Sequence, residues 1–355
     1  MNTTYFLIIF FVTIVSFVYK NRLPKQEDGI TRDDTTALKG LAFFMVFFSH
    51  IGYFLFPDSN FLFPLSIFAG IGGNLFLFLS GYGLTKSFKD TNPLVFYKRR
   101  FFKLYIPLII TTLFIIILDG ISGAPLSWQH ILPGITAIVP SANIYTDFNS
   151  PLWFLTLLFI FYIIFPLVFR KEKPLRSGAL LLLFGLVVPG YLTQFLPLSD
   201  GVIHLYAIHA LAFPCGVIFA LTSPRLYSKF RWSALPTVSR FIVWGGATIL
   251  FIYISFHAAI NTPYEQVVSL AATFLCIFSF VLFPLRSKYI DVVGVYSYEL
   301  YLLHWPLLYR HDIFFRIFPA WFATYAYIFL LLGLSMGIAK LSNKIILRIK
   351  KPLLT

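Results

Sequence analysis

The chain has 355 residues, of which 58% are hydrophobic and only 12% are charged, and its mean hydropathy is +0.81. Soluble domains carry about a quarter charged residues, so this composition excludes a soluble globular protein and indicates an integral membrane protein. The net charge of +14 would also suit nucleic acid binding, so the positions of the basic residues decide its meaning.

Apolar stretches long enough to cross a bilayer recur along the whole chain. We predict an all-α, polytopic transmembrane bundle of about 11 helices. The first stretch lacks a basic leading region and a small-residue cleavage site, so we expect a retained helix rather than a signal peptide. The predicted spans are 4–19, 38–56, 63–85, 101–118, 151–169, 178–196, 203–222, 239–258, 266–285, 289–308 and 320–346.

The basic residues are concentrated in alternate connections. Segments such as 20–37, 86–103, 170–177 and 223–240 are rich in Lys and Arg, whereas intervening connections such as 119–150 hold neither. Because cytoplasmic loops are enriched in Lys and Arg, we predict an outer amino terminus and a cytoplasmic carboxyl terminus. This topology explains the basic excess without a nucleic acid partner.

The outer segment 119–150 is the longest predicted connection. It is rich in Pro, Gly and Ser and carries two aspartates as its charged residues. We expect it to pack on the outer surface as a partly ordered lid.

The two cysteines, Cys215 and Cys276, both lie in apolar runs. They form neither a disulfide framework nor a metal-ligand spacing. We therefore expect packing roles for both and no metal site.

The stretch LKGLAFFMVFFSH in the second span contains Lys39 and His50. Eleven residues correspond to three helical turns plus a small remainder, so the two side chains share one face. Ionisable residues inside a span are costly and usually functional. We expect Lys39 at the cytoplasmic mouth of a groove and His50 deep within it. The alternative is an interfacial anchor at Lys39 and a hydrogen-bonded core histidine at His50.

Polar residues in other spans form weaker patterns. The third span, GIGGNLFLFLSGYGLTK, carries Asn74 and Ser80 among glycines that permit close helix approach. In the tenth span, YSYELYLLHWPLL places Tyr301 and His304 on one face, and a structural role there is as plausible as a catalytic one. Trp153, at the outer end of the fifth span, reads as an interfacial anchor.

A basic cluster precedes the fourth span in YKRRFFKLYIP. It contains Arg99, Arg100 and Lys103. The cluster could anchor the helix at the cytoplasmic surface, or it could bind the phosphates of a nucleotide-bearing donor.

Five of these stretches, in this order, resemble the bacterial membrane-bound acyltransferase-3 family. The stretches are KG followed by His50, LFLFLSGY, RRFFKLYIP, LWFL and SYELYLLHWP. The resemblance implies an extra transmembrane helix and basic cytoplasmic linker over 1–37, a family-like transmembrane domain over 38–348 and a basic cytoplasmic tail over 349–355.

Four positions depart from the family pattern. Lys39 stands where the family has an arginine, which keeps the charge but loses the bidentate fork. Asn74 stands where an acidic residue is common. Leu158 and Phe159 follow the fifth-span tryptophan where many relatives have acidic residues, so the chain resembles the WFL branch, without an appended extracytoplasmic domain.

The resemblance implies an O-acyltransferase in the bacterial cell (inner or plasma) membrane, with acetyl-CoA as the acyl donor and a surface glycan or glycolipid as the acceptor. His50 is then the general base, and Lys39 with the basic cluster binds the donor. A transient acyl-histidine is a second possible route. Candidates for oxyanion or substrate contacts are Ser80, Tyr82, Trp153, Tyr301 and His304.

Two other functions remain open from the sequence. A polysaccharide or lipid-linked sugar exporter would need a polar tunnel, which the few membrane-embedded charges disfavour. A structural or sensory subunit would give no reason for His50 to lie in line with Lys39.

Overall fold

A computed structural model describes residues 3–16, 30–56, 59–88, 93–123, 128–142, 149–195, 198–229, 236–258, 264–283 and 287–350. Over these ranges the chain is helical, with two short 3-10 helices at Phe63–Leu65 and Ser150–Leu152. The α-helices are α1 Thr3–Ser16, α2 Arg32–Leu55, α3 Phe68–Ser87, α4 Pro93–Ser122, α5 Trp128–Thr136, α6 Trp153–Val168, α7 Pro174–Phe195, α8 Asp200–His209, α9 Ala212–Lys229, α10 Thr237–Ala258, α11 Glu265–Leu282, α12 Lys288–Val295, α13 Ser297–Tyr309 and α14 Ala320–Lys350.

The predicted all-α polytopic architecture is confirmed. In the described part of the chain, eight helical stretches have the length and apolar composition to cross a membrane. Helices α1 and α6 are shorter apolar helices that coincide with the first and fifth predicted spans. The assignment of each connection to the outer or cytoplasmic side remains a prediction.

Two predicted spans are divided in the structure. The span 203–222 becomes α8 and α9, with a turn at residues 210–211. Pro214 has no N–H to donate to the carbonyl of Ala210, and its ring would clash with that carbonyl in a continuous helix, which explains the break. The span 289–308 likewise becomes α12 and α13, separated at Tyr296.

The predicted outer loop 119–150 contains a helix. Helix α4 runs on to Ser122, α5 follows, and Thr112 of α4 donates its hydroxyl proton to the carbonyl of Gly134 at 2.9 Å. The chain after α5 is buried as well, with Ala137 and Val139 1% and 3% exposed. The Thr156 hydroxyl donates to the carbonyl of Ala137 there at 2.5 Å. Residues 124–127 and 143–148 lie outside the described ranges, so the lid role of this segment remains a prediction.

The chain forms two compact units, which we describe separately. Unit one comprises Met1–Phe88, Lys171–Val187 and Ala207–Val295, and unit two comprises Lys89–Arg170, Val188–Tyr206 and Tyr296–Thr355.

In unit one, α3 packs closely against α2, α9 and α11. Glycine makes the closest approach possible: a Cβ on Gly216 of α9 would collide with the carbonyl oxygen of Phe78 on α3, and one on Gly81 would collide with that of Phe213. This confirms that a glycine of the third span permits close helix packing, as the sequence predicts.

Helix α1 packs behind α2. The ring centroids of Phe10 lie 5.0 Å from Phe44 and 4.9 Å from Phe48. Phe48 is nine residues from Lys39, about 180° around the helix. The amino-terminal helix therefore supports α2 from the face opposite to Lys39 and His50.

In unit two, α4 contacts α5, α6, α13 and α14. At one end of α4, Tyr97 donates its hydroxyl proton to the carbonyl of Ile163, and Tyr298 donates to that of Leu104, both at 2.7 Å. These bonds fix α6 and the start of α13 to the helix that carries the basic cluster.

Candidate active site

Helix α2 places Lys39 and His50 on one face, roughly 16 Å apart along its axis. Both side chains are partly exposed. Phe43 and Val46 lie between them on that face and are only 1% and 3% exposed. The face is therefore partly exposed at its two ends and buried in the middle, and the groove that the sequence suggests remains a prediction.

Two hydroxyl groups hold α2 around His50. The Ser49 hydroxyl bonds to the carbonyl oxygen of Leu65 at 2.6 Å, and the Tyr53 hydroxyl donates to that of Ser66 at 3.2 Å. The Tyr53 ring lies 6.4 Å from the imidazole, measured between centroids. His50 thus combines a tethered helix with a partly exposed ring, and both properties suit a base that must meet a substrate.

Unit one contains a buried polar network that the sequence analysis did not predict. The amide nitrogen of Asn74 donates to the Ser269 hydroxyl at 2.7 Å, and the amide oxygen lies 2.7 Å from Nδ1 of His209. All three residues are at most 2% exposed. With this amide orientation, the Asn74 oxygen accepts the Nδ1 proton of His209. The cost of an ionisable residue in a span, which identifies His50, also applies to His209 and could have revealed it.

The two third-span candidates, Ser80 and Tyr82, differ in whether their hydroxyl groups form a hydrogen bond. Tyr82 is buried and donates to the carbonyl of Ile30 at 2.7 Å. Ser80 is partly exposed, and its hydroxyl has no hydrogen-bond partner among the described residues. Tyr82 bonds to Ile30 just before α2, while Ser66, just before α3, bonds to Tyr53 near the end of α2. Both candidates therefore lie toward the Lys39 end of α2 and away from His50.

The basic residues of the cluster on α4 differ in their exposure. Arg99 and Lys103 are exposed. The guanidinium of Arg100 lies over the rings of Phe96 and Tyr162, 5.7 and 6.0 Å from their centroids. Arg99 and Lys103 are therefore the more accessible cations for a phosphate group.

The remaining candidates, Trp153, Tyr301 and His304, lie in unit two. The Tyr301 hydroxyl donates to the carbonyl of Pro151 at 2.7 Å. His304 is fully buried, with Nδ1 2.7 Å from the carbonyl oxygen of Tyr301. Trp153 begins α6 and is partly exposed. The contacts of Tyr301 and His304 agree with the structural role that the sequence left open for them.

A second polar cluster that sequence reasoning missed lies at the far end of α4. Asp119 is 0% exposed and pairs with Arg310, with Oδ2 3.1 Å from Nη2 and Oδ1 3.3 Å from Nε. Nε2 of His311 lies 3.0 Å from the same Oδ1. An aspartate that ends an apolar run is the sequence signal for this cluster, but its partners lie almost two hundred residues away.

The predicted site residues are distributed over both units. Lys39, His50, Ser80 and Tyr82 belong to unit one, and the other candidates belong to unit two. Among the residues that the structure describes, no three His, Cys, Asp or Glu side chains are grouped as metal ligands would be.

Comparison with known proteins gives a family match. The sequence profile of a family described as "Acyltransferase domain" matches residues 34–340. The chain is 31% identical over 157 residues to "Acyltransferase MdmB" from Streptomyces mycarofaciens, and that alignment covers 40% of each protein. A comparison with solved structures finds no match.

Proposed function

Because the chain belongs to this acyltransferase family, we propose that it is a multi-pass membrane enzyme that transfers an acyl group, expected to be acetyl, from acyl-CoA to a hydroxyl group of a surface polysaccharide or glycolipid. The observation that carries this proposal is the partly exposed imidazole of His50, on the same helix face as Lys39 and inside the matched region. An ionisable side chain inside an apolar span is costly, which supports a functional role for His50.

His50 acts as the general base in this proposal. It removes the proton from the acceptor hydroxyl while the hydroxyl oxygen attacks the thioester carbonyl, and the coenzyme leaves as a thiol after taking up a proton. The tetrahedral oxyanion also requires a hydrogen-bond donor near His50, and the described contacts place neither Ser80 nor Tyr82 there, because Tyr82 bonds to Ile30 just before the start of α2. An acyl-imidazole intermediate at His50 would satisfy the same geometry.

The donor phosphates bind to cationic side chains. The candidates are Lys39 on α2 and, separately, the exposed Arg99 and Lys103 on α4. Charge-assisted hydrogen bonds to phosphate are about twice as strong as neutral ones. The positive-inside bias of the connections supports a cytoplasmic position for the basic cluster and its donor. The family resemblance favours the cell membrane of a bacterium as the location.

The proposal is tested in cells that lack the gene and carry either the wild-type chain, His50→Ala or His257→Ala. His257 lies exposed on α10 and is the matched control for loss of a histidine. Mass spectrometry measures ester-linked acyl groups on the surface glycans, with protein amounts controlled. We expect acylation to fall about 100-fold or more in His50→Ala and to persist in His257→Ala. An exporter would instead lose the surface glycan itself when the gene is absent.

A further inference from the structure

The buried carboxylate of Asp119 holds an imidazole in a defined orientation. Arg310 contacts both carboxylate oxygens, through Nη2 at 3.1 Å and Nε at 3.3 Å, and thereby neutralises the charge. His311 adds a further bond to Oδ1 at 3.0 Å that charge balance does not require. A carboxylate bonded to one ring nitrogen fixes the tautomer and the orientation of an imidazole, as in hydrolase triads.

The second ring nitrogen of His311, Nδ1, is the atom that can bind a ligand. When Nε2–H donates to Asp119, Nδ1 carries a lone pair that can accept a hydrogen bond. No described residue lies within hydrogen-bond distance of Nδ1, and the His311 side chain is 14% exposed. The ring therefore presents one oriented acceptor to an incoming group.

The segment that carries His311 is itself rigidly held. The next residue, Asp312, is 7% exposed and accepts hydrogen bonds from Tyr327 at 2.8 Å and from the backbone N–H groups of Phe314 and Phe315 at 3.2 and 3.0 Å. A preformed site needs such a supporting layer, because it positions the binding atom before the ligand arrives.

The position of Asp119 along α4 assigns the cluster to one side of the membrane. Asp119 follows Arg99 by twenty residues and Lys103 by sixteen, so it lies roughly 30 and 24 Å further along the helix. The hydrocarbon core of a bilayer is about 30 Å thick. If the basic residues bind the donor at the cytoplasmic face, Asp119 and His311 lie at the opposite face, where an exported acceptor is found.

We propose that His311, oriented by Asp119, is an acceptor-binding residue that accepts a hydrogen bond from a sugar hydroxyl at the outer face. This inference rests on the proposed acyltransferase function, because it assigns a site to the acceptor of that reaction. His311 acts here as a binding residue and not as a catalytic one.

The first test is histidine footprinting with diethyl pyrocarbonate on the full chain in lipid nanodiscs. The reagent transfers an ethoxycarbonyl group to an unprotonated ring nitrogen and releases ethanol and carbon dioxide. Methyl β-D-glucopyranoside is the probe, and its fully O-methylated form, which has no hydroxyl donor, is the control ligand. We expect the glucoside to lower labelling of His311 severalfold, the methylated form to have no effect, and exposed His257 to be unaffected by either. Equal labelling of His311 with both ligands, or no labelling at all, would overturn the proposal.

The second test separates this proposal from the proposed function. His311→Lys keeps an N–H donor for Asp119, but its ammonium group has no lone pair to accept a hydrogen bond. Lys344→Gln removes an exposed cation of α14 as a control. Loss of one neutral hydrogen bond predicts about a fivefold rise in KM for the sugar in His311→Lys only, with unchanged hydrolysis of acetyl-CoA in the absence of sugar. An unchanged KM would refute the role of His311, whereas a wild-type protein that releases no CoA would refute the acyltransferase function instead.

Discussion

The buried network around Asn74 allows a quantitative prediction about unit one. Asn74→Leu keeps the side-chain volume similar but removes the bonds to Ser269 and His209, each 2.7 Å long. Interhelical hydrogen bonds in membrane bundles contribute about 0.6 kcal/mol on average and up to about 1.7 kcal/mol. Two short bonds between fully buried partners should therefore lower the free energy of unfolding by about 1 to 3 kcal/mol.

A double-mutant cycle isolates the bond between Asn74 and His209. Asn74→Leu, His209→Leu and the double variant are unfolded by titration with dodecyl sulfate, and a thiol-reactive fluorophore reports exposure of Cys276, which is 5% exposed in the fold. Asn343→Leu on the exposed face of α14 is the control. We expect a coupling energy of about 1 kcal/mol and little effect of the control. We also expect Asn74→Asp to retain most of the stability, because a carboxylate can accept from both partners.

A coupling energy near zero between Asn74 and His209 would refute this reasoning. The same result would show that this hydrogen bond contributes no net stability to the folded protein. A large effect of Asn343→Leu would instead show that the assay responds to general changes in solubility.

Three further predictions address packing and the donor site. Gly216→Ala should lower the stability by several kcal/mol in the same titration, because its methyl group would collide with backbone of α3, while Gly245→Ala, with open space around its Cβ, should be neutral or slightly stabilising. Arg99→Glu should raise the KM for acetyl-CoA roughly tenfold in a CoA-release assay, whereas Arg316→Glu, in another part of unit two, should leave it unchanged. Lys39→Arg should retain activity and Lys39→Met should lose it. Equal activity of the two variants would show that this position does not require a positive charge.

The helical architecture was predictable because a bilayer leaves few alternatives. A backbone with no water to bond must satisfy its hydrogen bonds within each helix, so hydropathy located most of the predicted spans. The predicted span 289–308 is the exception: it is divided into two short helices, α12 and α13. The break between α8 and α9 depends on Pro214, whose effect on the carbonyl of Ala210 is local and could also have been predicted. The burial of the chain after α5 could not have been predicted in this way, because it involves a contact with the distant hydroxyl of Thr156.

The candidate site was predictable only in part, for a related reason. Lys39 and His50 share one helix, so their common face follows from helical periodicity. Phe43 and Val46 are buried by other elements of the fold, and this burial does not follow from the periodicity of α2. Asn74 with His209 and Asp119 with His311 join residues 135 and 192 positions apart, and a single sequence carries no signal for such pairs.

The measurement that tests the central claim most directly is acyl transfer by the purified full chain in lipid nanodiscs. Acetyl-CoA with a labelled acetyl group is supplied together with surface glycan from the deletion strain, and free CoA and labelled glycan are both quantified. We predict that the wild-type chain and His257→Ala release CoA and label the glycan, and that His50→Ala does neither above background. Full transfer by His50→Ala would contradict the account, because the imidazole on which it depends would then be dispensable.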